Sequence, residues 1–570
     1  MTNFKKVLCA CLLFFSCQRL FADVLPGSAQ PEQVNRSMIR SQPMTNIPPG
    51  SAANYELPNT PASPLDAQAA KIKFKLNGIR LEGNHVFSDT QLSAFYRADL
   101  HKTVTLQRIL QIVQNITDYY QMNGYITSRA ILPVQTTKGG ILRIVIVEGK
   151  IDKVIVTGNP QKSAYLVQKF GDKIAEKSPL QLKTLERYTL LANEIPATRV
   201  RSILKASPHV NGASDLYLLT DHQNITGYIS YDNYRTRYIG PQQTTLNLTG
   251  NSFITSGDAG QFVYARTAKG SELTFYNANY ELPLDAEGDR ILFGGIHDQT
   301  HPLFVLQPYG INGTDDNYYT TVSLPFLRTS TQNLTFYIKF NYENTDVTTF
   351  HQKLYTDQIR SLGLGAAYNF VDRWEGVNST YGDVRQGLPI LGYTSDTNPS
   401  TALTSRPGGH AVYTKIDLSM SHLQPIYTNF SLYGLLKGQY AFQTLLAAEQ
   451  FPFGGIELGR GYDIAELLGD RAIAGALEGR YDWNIAKYYI STLQFYAFYD
   501  FGKVWNLFFV SNLPLIQSAT STGVGMRFFF NKYISGNITW AQPLTKQVAA
   551  EALIGQGHNP RTFFSIVASL

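Results

Sequence analysis

From residue 224 to residue 570 the chain consists of runs of roughly ten residues in which apolar or aromatic side chains alternate with polar ones. Gly, Asn, Asp, Ser and Thr separate the runs. Alternation with period two makes a strand with one apolar face and one polar face. Beyond the first residues no stretch approaches the ~18 apolar residues that a membrane helix needs. Any crossing of a bilayer therefore has to be made by strands closed into a barrel, because only closure satisfies every backbone N–H and C=O inside lipid. At about 20–22 residues per strand plus connection, the region holds about 16 strands, an even number as single-chain bacterial barrels have. The 35 Tyr, 32 Phe and only 16% charged residues fit strands with one face out of water. A soluble β-sandwich would also alternate, but so long a stretch this rich in aromatics would be unusual for one.

Several runs sort by face. In "RAIAGALEGRYDW", Glu478, Arg480 and Asp482 fall on one side, and Ile473, Leu477, Tyr481 and Trp483 on the other. In the last ten residues Phe564, Ile566, Ala568 and Leu570 share a face. Strand-like runs end in proline at Pro283, Pro325, Pro425 and Pro543. Proline cannot donate to a ladder, so these four predict short turns on one rim. Segments 295–318 and 386–411 are then expected as long loops on the other.

The N-terminal third is organised differently. Lys5, Lys6 and the apolar "VLCACLLFFSC" precede "LFAD", which predicts a secretory leader over 1–22 with cleavage after Ala22. Lipid attachment at Cys17 is the alternative, with Phe14 where such signals usually carry Leu. All three cysteines (Cys9, Cys11, Cys17) lie here, so the cleaved chain has no thiol, no disulfide and no cysteine-held metal. Residues 23–42 predict a short helix with Pro31 in its first turn. Residues 43–70, with six prolines from Pro43 to Pro64, read as an extended linker. Residues 71–149 read β-α-α-β-β, with a helix cap at Ser88 or Asp89 and a long helix ended by Gly124. Residues 150–222 restart the same order, Gly158–Asn159 answering Gly83–Asn84. Two tandem α+β modules of about 75 residues are expected, followed by the barrel over 223–570. The net charge of +6 comes without any basic run or basic helix, which argues against nucleic acid as a partner. No HExxH, GxSxG or phosphate-loop motif occurs, and the ten His show no metal-ligand spacing. Neither an enzymatic activity nor a cofactor is expected.

One charge stands out. "GGIELGRGYDIAELLGD" (454–470) holds Arg460 between Gly459 and Gly461, with Tyr462 next, inside a segment (449–470) too long for a tight hairpin. Spacing alone leaves two readings open: a surface loop with a solvated arginine, or a loop folded into the lumen. Folded inward, Arg460 would need a carboxylate, since an unpaired buried charge is costly. In "QFYAFYDFGKVW", Asp500 is the only acid and shares a face with Phe498 and Gly502. The opposite face carries Phe495, Ala497, Tyr499 and Phe501, so Asp500 points inward. Glu478 is a second, weaker candidate, with Arg480 and Asp482 as further lumen charges.

"GRGY" (459–462) and "FYAFYDFG" (495–502) resemble the motif pair of the outer-membrane protein 85 superfamily. There an R-G-[YF] loop tip enters the barrel and pairs with an Asp in F-x-x-F-x-D-x-G, matched here by Phe495, Phe498, Asp500 and Gly502. Two modules behind a helix and a linker look like the haemolysin-activator branch that serves two-partner secretion, as does "YDNYRTRYIG" followed by "SGD". Two departures are Gly459, where the branch commonly has an aliphatic residue, and Leu570, where barrels usually end in Phe. The resemblance implies POTRA-type periplasmic modules and an N-terminal helix resting in the lumen. It also implies a loop anchored through Arg460, Gly461, Tyr462 and Asp500. The implied partner is a secreted exoprotein with an N-terminal secretion domain, of haemolysin or adhesin type. The setting is the outer membrane with its lipopolysaccharide, and biogenesis would need periplasmic chaperones and the barrel-assembly machinery. Alternatives are an insertase of the same superfamily, a porin-type solute channel, and a surface adhesin or receptor.

Overall fold

The computed structural model describes residues 25–40, 55–56, 69–136, 139–268, 272–395, 403–487, 490–508, 514–530 and 533–570. The expected leader (1–22) with its three cysteines, and the expected linker apart from 55–56 and 69–70, lie outside the described residues. The alternating region closes into a barrel of sixteen antiparallel strands, from Ile225–Asp232 to Arg561–Ser569. The first strand pairs with the last, from Tyr228 opposite Ser569 to Asp232 opposite Ser565, so neither leaves an open edge. The pleat sorts side chains as the pattern requires. Ile473, Leu477, Tyr481 and Trp483 are exposed on the outside, and Glu478 is buried inside.

Module 2 ends at His222 and the first barrel strand starts at Ile225, which defines a near rim beside the modules and a far rim opposite. Pro283, Pro325 and Pro425 lie at or close to the near-rim ends of their strands; Pro543 ends a strand at the far rim. Four prolines on one rim is therefore wrong. The missing N–H marks the end of a ladder without saying which end. The loop expected over 295–318 shrinks to 301–311, because flanking strands run through Thr300 and resume at Asn312. Three successive strands here hold 17, 18 and 20 residues and extend past the 9–11 or so that cross lipid, so polar side chains are tolerated on both faces. Asp316, outside, pairs with His297 (2.8 Å), and Asp315, inside, accepts from Thr345 (2.6 Å).

Module 1 packs the helix Leu106–Met122 on a sheet ordered Gly78–Glu82, Ile141–Val147, Arg129–Ile131. Ile109, Ile112, Val113, Ile116 and Tyr120 fill its core at the helical spacing of the sequence. Ser88 caps the short helix before it. Module 2 sets helices Ala164–Ala175 and Leu182–Asn193 against strands Lys150–Asn159, Thr198–Ala206 and Ala213–His222. Its sheet gains a fourth strand from the linker: Tyr55 and Glu56 run parallel to Ser202 and Ile203.

The helix Pro31–Arg40 lies inside the barrel. Val34 and Met38 are buried with Ile296, Val347 and Tyr355 of the wall. Gln33 donates to Ala447 O (2.5 Å), Asn35 to Asp315 Oδ2 (2.6 Å), and the Tyr355 hydroxyl to both Glu32 carboxylate oxygens (3.2 Å each). Most of these ties are polar, and they close a lumen that would otherwise hold water.

Module 2 is fastened to the near rim. Leu166 N donates to Ser256 Oγ (3.0 Å), and Arg187 donates to the carbonyls of Glu287, Pro325 and Phe326 (3.1–3.2 Å). Glu287 receives Lys173 Nζ (3.1 Å) and the Tyr188 hydroxyl (2.9 Å). Burial alone would raise this carboxyl, but the bonds from Lys173 and Tyr188 prevail and hold it below its ordinary 4.5. A carboxylate held low contributes to docking at neutral pH and loses that contribution as pH falls through its depressed value. Hydrogen exchange at the Leu166 amide should therefore speed up as pH drops below about 4.5 relative to intrinsic rates. In Glu287→Gln it should already be faster at pH 7 and lack that added acid dependence.

Candidate functional site

The segment between strands Phe430–Ala441 and Arg471–Lys487 turns into the lumen. A short ribbon, Phe451–Phe453 with Leu467–Gly469, carries it inward. The ribbon can lie on the wall because the wall is small there. Phe451, Phe453, Leu458, Tyr462 and Leu467 pack on Ala472, Ala474, Ala476, Val504 and Ala519. Gly502 belongs to this floor, since a Cβ on it would sit 2.3 Å from the Phe453 ring. Gly459 turns the tip in the left-handed region (φ 78°), which favours glycine. Gly461 is needed for space: a Cβ there would lie 2.8 Å from Ser521 Cβ.

Arg460 is buried, with 5% of its surface exposed, and Asp500 is fully enclosed. Asp500 Oδ2 accepts from the Arg460 backbone N (2.8 Å) and Nε (3.1 Å), and Oδ1 accepts from Nη2 (2.7 Å). The remaining nitrogen, Nη1, donates to Glu478 Oε2 (2.6 Å). The guanidinium lies 3.5 Å from the Phe498 ring centroid. Glu478 is thus not an alternative to Asp500. Arg460 takes both, because a guanidinium has five donors in a planar fork and one carboxylate cannot fill them. The other oxygen of Glu478, Oε1, accepts from Arg480 Nε (2.7 Å) and Arg527 Nη1 (2.8 Å). Two carboxylates therefore bridge three arginines. Gly461 N donates to Ser521 Oγ (3.2 Å) and the Tyr462 hydroxyl to Thr520 O (2.8 Å), holding both flanks of the tip. Asp482 stands apart on the same strand and accepts from Gln494 (2.8 Å). Phe495 faces outward and is exposed.

Two participants are absent from the sequence reading. Arg527 is one. The other is Glu449 at the loop base, fully buried, which pairs with Lys415 (2.8 Å), Arg36 of the lumen helix (3.2 Å) and Arg385 (3.4 Å). The signal that marks Asp500, a lone acid in an apolar run, also marks Glu449 in "LLAAEQFPF". Through Arg36 and Glu449 the lumen helix and the inward loop share one buried carboxylate.

A sixteen-stranded barrel with α+β modules at one rim, a helix in the lumen and an arginine-locked inward loop defines an outer-membrane barrel with periplasmic POTRA modules. The near rim is the periplasmic one. A model described as "POTRA domain, ShlB-type" matches residues 74–149, and one described as "Haemolysin secretion/activation protein ShlB/FhaC/HecB" matches 212–528. The chain belongs to this second family, whose members are two-partner secretion transporters that translocate a partner exoprotein from the periplasm to the cell surface. It is similar to the heme/hemopexin transporter protein HuxB of Haemophilus influenzae (strain 86-028NP), 22% identical over 90% of this chain and 91% of that protein. It is also similar to the outer membrane transporter CdiB of Dickeya dadantii (strain 3937), 24% identical over 88% of each. Among solved structures, CdiB from Escherichia coli superposes with a TM-score of 0.73 at 18% identity, covering 96% of this chain and 99% of that one. BamA from Haemophilus ducreyi lacking POTRA domains 1–3 gives 0.50 at 12%, covering 87% and 100%.

Removing one member of a buried, hydrogen-bonded ion pair leaves the other uncompensated, at a cost of about 3–5 kcal/mol. Arg460→Ala and Asp500→Ala should each lower exoprotein export and expose the 454–466 tip to protease, while heat-modifiable migration shows that the barrel still inserts. The double variant should be no worse than the weaker single. Strictly additive losses would show that the two residues act independently.

Proposed function

We propose that the chain is a passive conduit, without catalysis, whose client is caught as an added β-strand on module 1 before it enters the lumen. The observation that carries this reading is the edge strand Arg129–Ile131, which has a strand partner on one side only among the described residues. Ile131, Val134 and nearby Ile141 are exposed there, and Met122 is exposed at the end of the adjoining helix. A strand paired on one side, beside exposed apolar side chains, suits strand addition once Ala130 N gives up its bond to Thr117 Oγ1 (3.0 Å); the ladder then gives affinity and the side-chain pockets give selectivity. The matching edge of module 2 is already taken by Tyr55–Glu56 of the linker. A client pairing there would have to displace the linker, and the linker leads directly to the lumen helix.

The steps then follow from the contacts. The client binds the modules and the lumen helix leaves its polar ties to Asp315, Ala447, Tyr355 and Glu449. The loop held by Arg460, Gly461, Tyr462, Asp500, Phe498 and Gly502, with Glu478, Arg480 and Asp482 as lumen charges, shapes the opened passage. Client folding outside gives direction, since the outer membrane has no nucleotide supply. The barrel reaches its site through periplasmic chaperones and the barrel-assembly machinery and sits among outer-leaflet lipopolysaccharide. The client is an exoprotein with an N-terminal secretion domain, of haemolysin or adhesin class. The domain limits proposed are 1–22, 23–42, 43–70, 71–149, 150–222 and 223–570.

The test places a charge on the module 1 edge without touching its core. Ile131→Asp with Val134→Asp should cut export about tenfold, which corresponds to a loss of about 1.4 kcal/mol in client binding. Barrel insertion and basal ion conductance should stay unchanged. Export at the parent rate would remove this edge from the path. Deletion of 71–222 that spares export would sink the secretion reading as a whole.

A further inference from the structure

We infer that the outer wall of the barrel carries a binding site for the phosphate groups of an outer-leaflet glycolipid, formed by Arg471 and Lys503 with Tyr440, Phe442 and Trp505. Arg471 shares the outward face of its strand with Ile473, Leu477, Tyr481 and Trp483, all exposed. Lys503 shares the outward face of the next strand with Phe495, Tyr499, Phe501 and Trp505. The strands are paired in register, Arg471 opposite Trp505 and Ile473 opposite Lys503, so the two cations are diagonal neighbours.

Depth favours a headgroup. Between Arg471 and Trp483 the outward positions carry no charge. Twelve residues at about 3.3 Å each, on a strand tilted by about 40°, rise about 30 Å along the membrane normal. With Trp483 in the inner aromatic girdle, Arg471 reaches the outer boundary of the hydrocarbon, where lipid phosphates begin.

Charge favours a phosphate. Arg471 lies over the Tyr440 ring, 4.0 Å to its centroid, and donates Nε to Ala441 O (3.0 Å). This fixes the guanidinium plane and leaves its two terminal nitrogens without an acceptor among the described residues. Lys503 is exposed, with Nζ 5.2 Å from the Trp505 ring centroid. No carboxylate lies within ion-pair distance of either cation among the described residues. Elsewhere on the far half, Asp316 is bonded to His297 (2.8 Å) and Lys353 to Asp346 (3.7 Å). Two unpaired cations facing lipid are expensive unless the lipid supplies the anion. A planar fork beside an ammonium, flanked by Tyr440, Phe442 and Trp505, fits a phosphorylated sugar headgroup with acyl chains running down the apolar wall.

The site depends on the outer-membrane setting and not on the client, so lipid binding and export fail separately. The test uses the purified full chain in phosphatidylcholine vesicles, with the unfolding midpoint read from heat-modifiable migration. Bis-phosphorylated lipid A should raise the midpoint of the parent by several degrees, and dephosphorylated lipid A should not. Arg471→Gln with Lys503→Gln should lose at least half of the rise. Arg471→Lys with Lys503→Arg should keep it, as should the control Lys353→Gln. An equal rise in the glutamine pair, or with dephosphorylated lipid A, would overturn the site. An equal rise with phosphatidylglycerol would overturn the glycolipid as its occupant, and loss that the charge-conserving pair does not restore would reduce these residues to a structural role.

Discussion

A guanidinium buried against the inner wall of a barrel cannot stand unpaired, and the geometry around Arg460 follows from that. Its donors need more acceptors than one carboxylate offers, so Asp500 and Glu478 both face it, and Glu478 in turn draws in Arg480 and Arg527. The loop that carries Arg460 must approach the wall closely, so the wall beneath is Ala472, Ala474, Ala476 and Gly502. The tip must turn within little space, so glycines flank the arginine. A buried ion cluster of this kind adds little to stability compared with an apolar packing of the same volume, but it is demanding about register. Here that demand fixes where a long loop rests inside a wide pore.

The second half of the closure is of another kind. The helix Pro31–Arg40 is held largely by single polar contacts, and one of its charges, Arg36, meets the loop at Glu449. The loop is clamped by an ion cluster on an apolar floor; the helix is held by ties that water and a polar client can replace one at a time. This contrast supports the proposal that the helix leaves and the loop stays to line the passage. It also gives the linker strand at Tyr55–Glu56 a mechanical meaning, since it joins the edge of module 2 to the chain that runs into the lumen.

Much of this was legible in the sequence, for physical reasons that differ by element. The barrel showed through period-two alternation, because lipid outside and water inside impose opposite polarity on adjacent residues. Asp500 showed because a lone acid in an aromatic run can point only inward. Pro543 misled because a strand end has no direction in sequence. Segment 295–318 misled because strands that outgrow the bilayer accept Asp315 and Asp316 without bending into a loop. Arg527 and the pairing of Tyr55 with Ser202 could not be placed by pattern, since each depends on a partner that only the closed fold brings near; Glu449 is marked as a lone acid, but its three cations come together only in the closed fold.

In the proposed mechanism the inward loop stays and the lumen helix moves. With no cysteine outside 9, 11 and 17, one engineered thiol pair can be read without ambiguity. Asn35 Nδ2 donates to Asp315 Oδ2 across the helix–wall interface (2.6 Å), so Asn35→Cys with Asp315→Cys, bridged by a short bis-methanethiosulfonate reagent, tethers the helix through reducible bonds. Exoprotein export and bilayer conductance, measured in the same preparation before and after reduction, decide the matter. With the tether intact the pore should stay closed and export should stop, and both should recover on reduction; export at the parent rate with the helix still tethered would show that the helix need not leave.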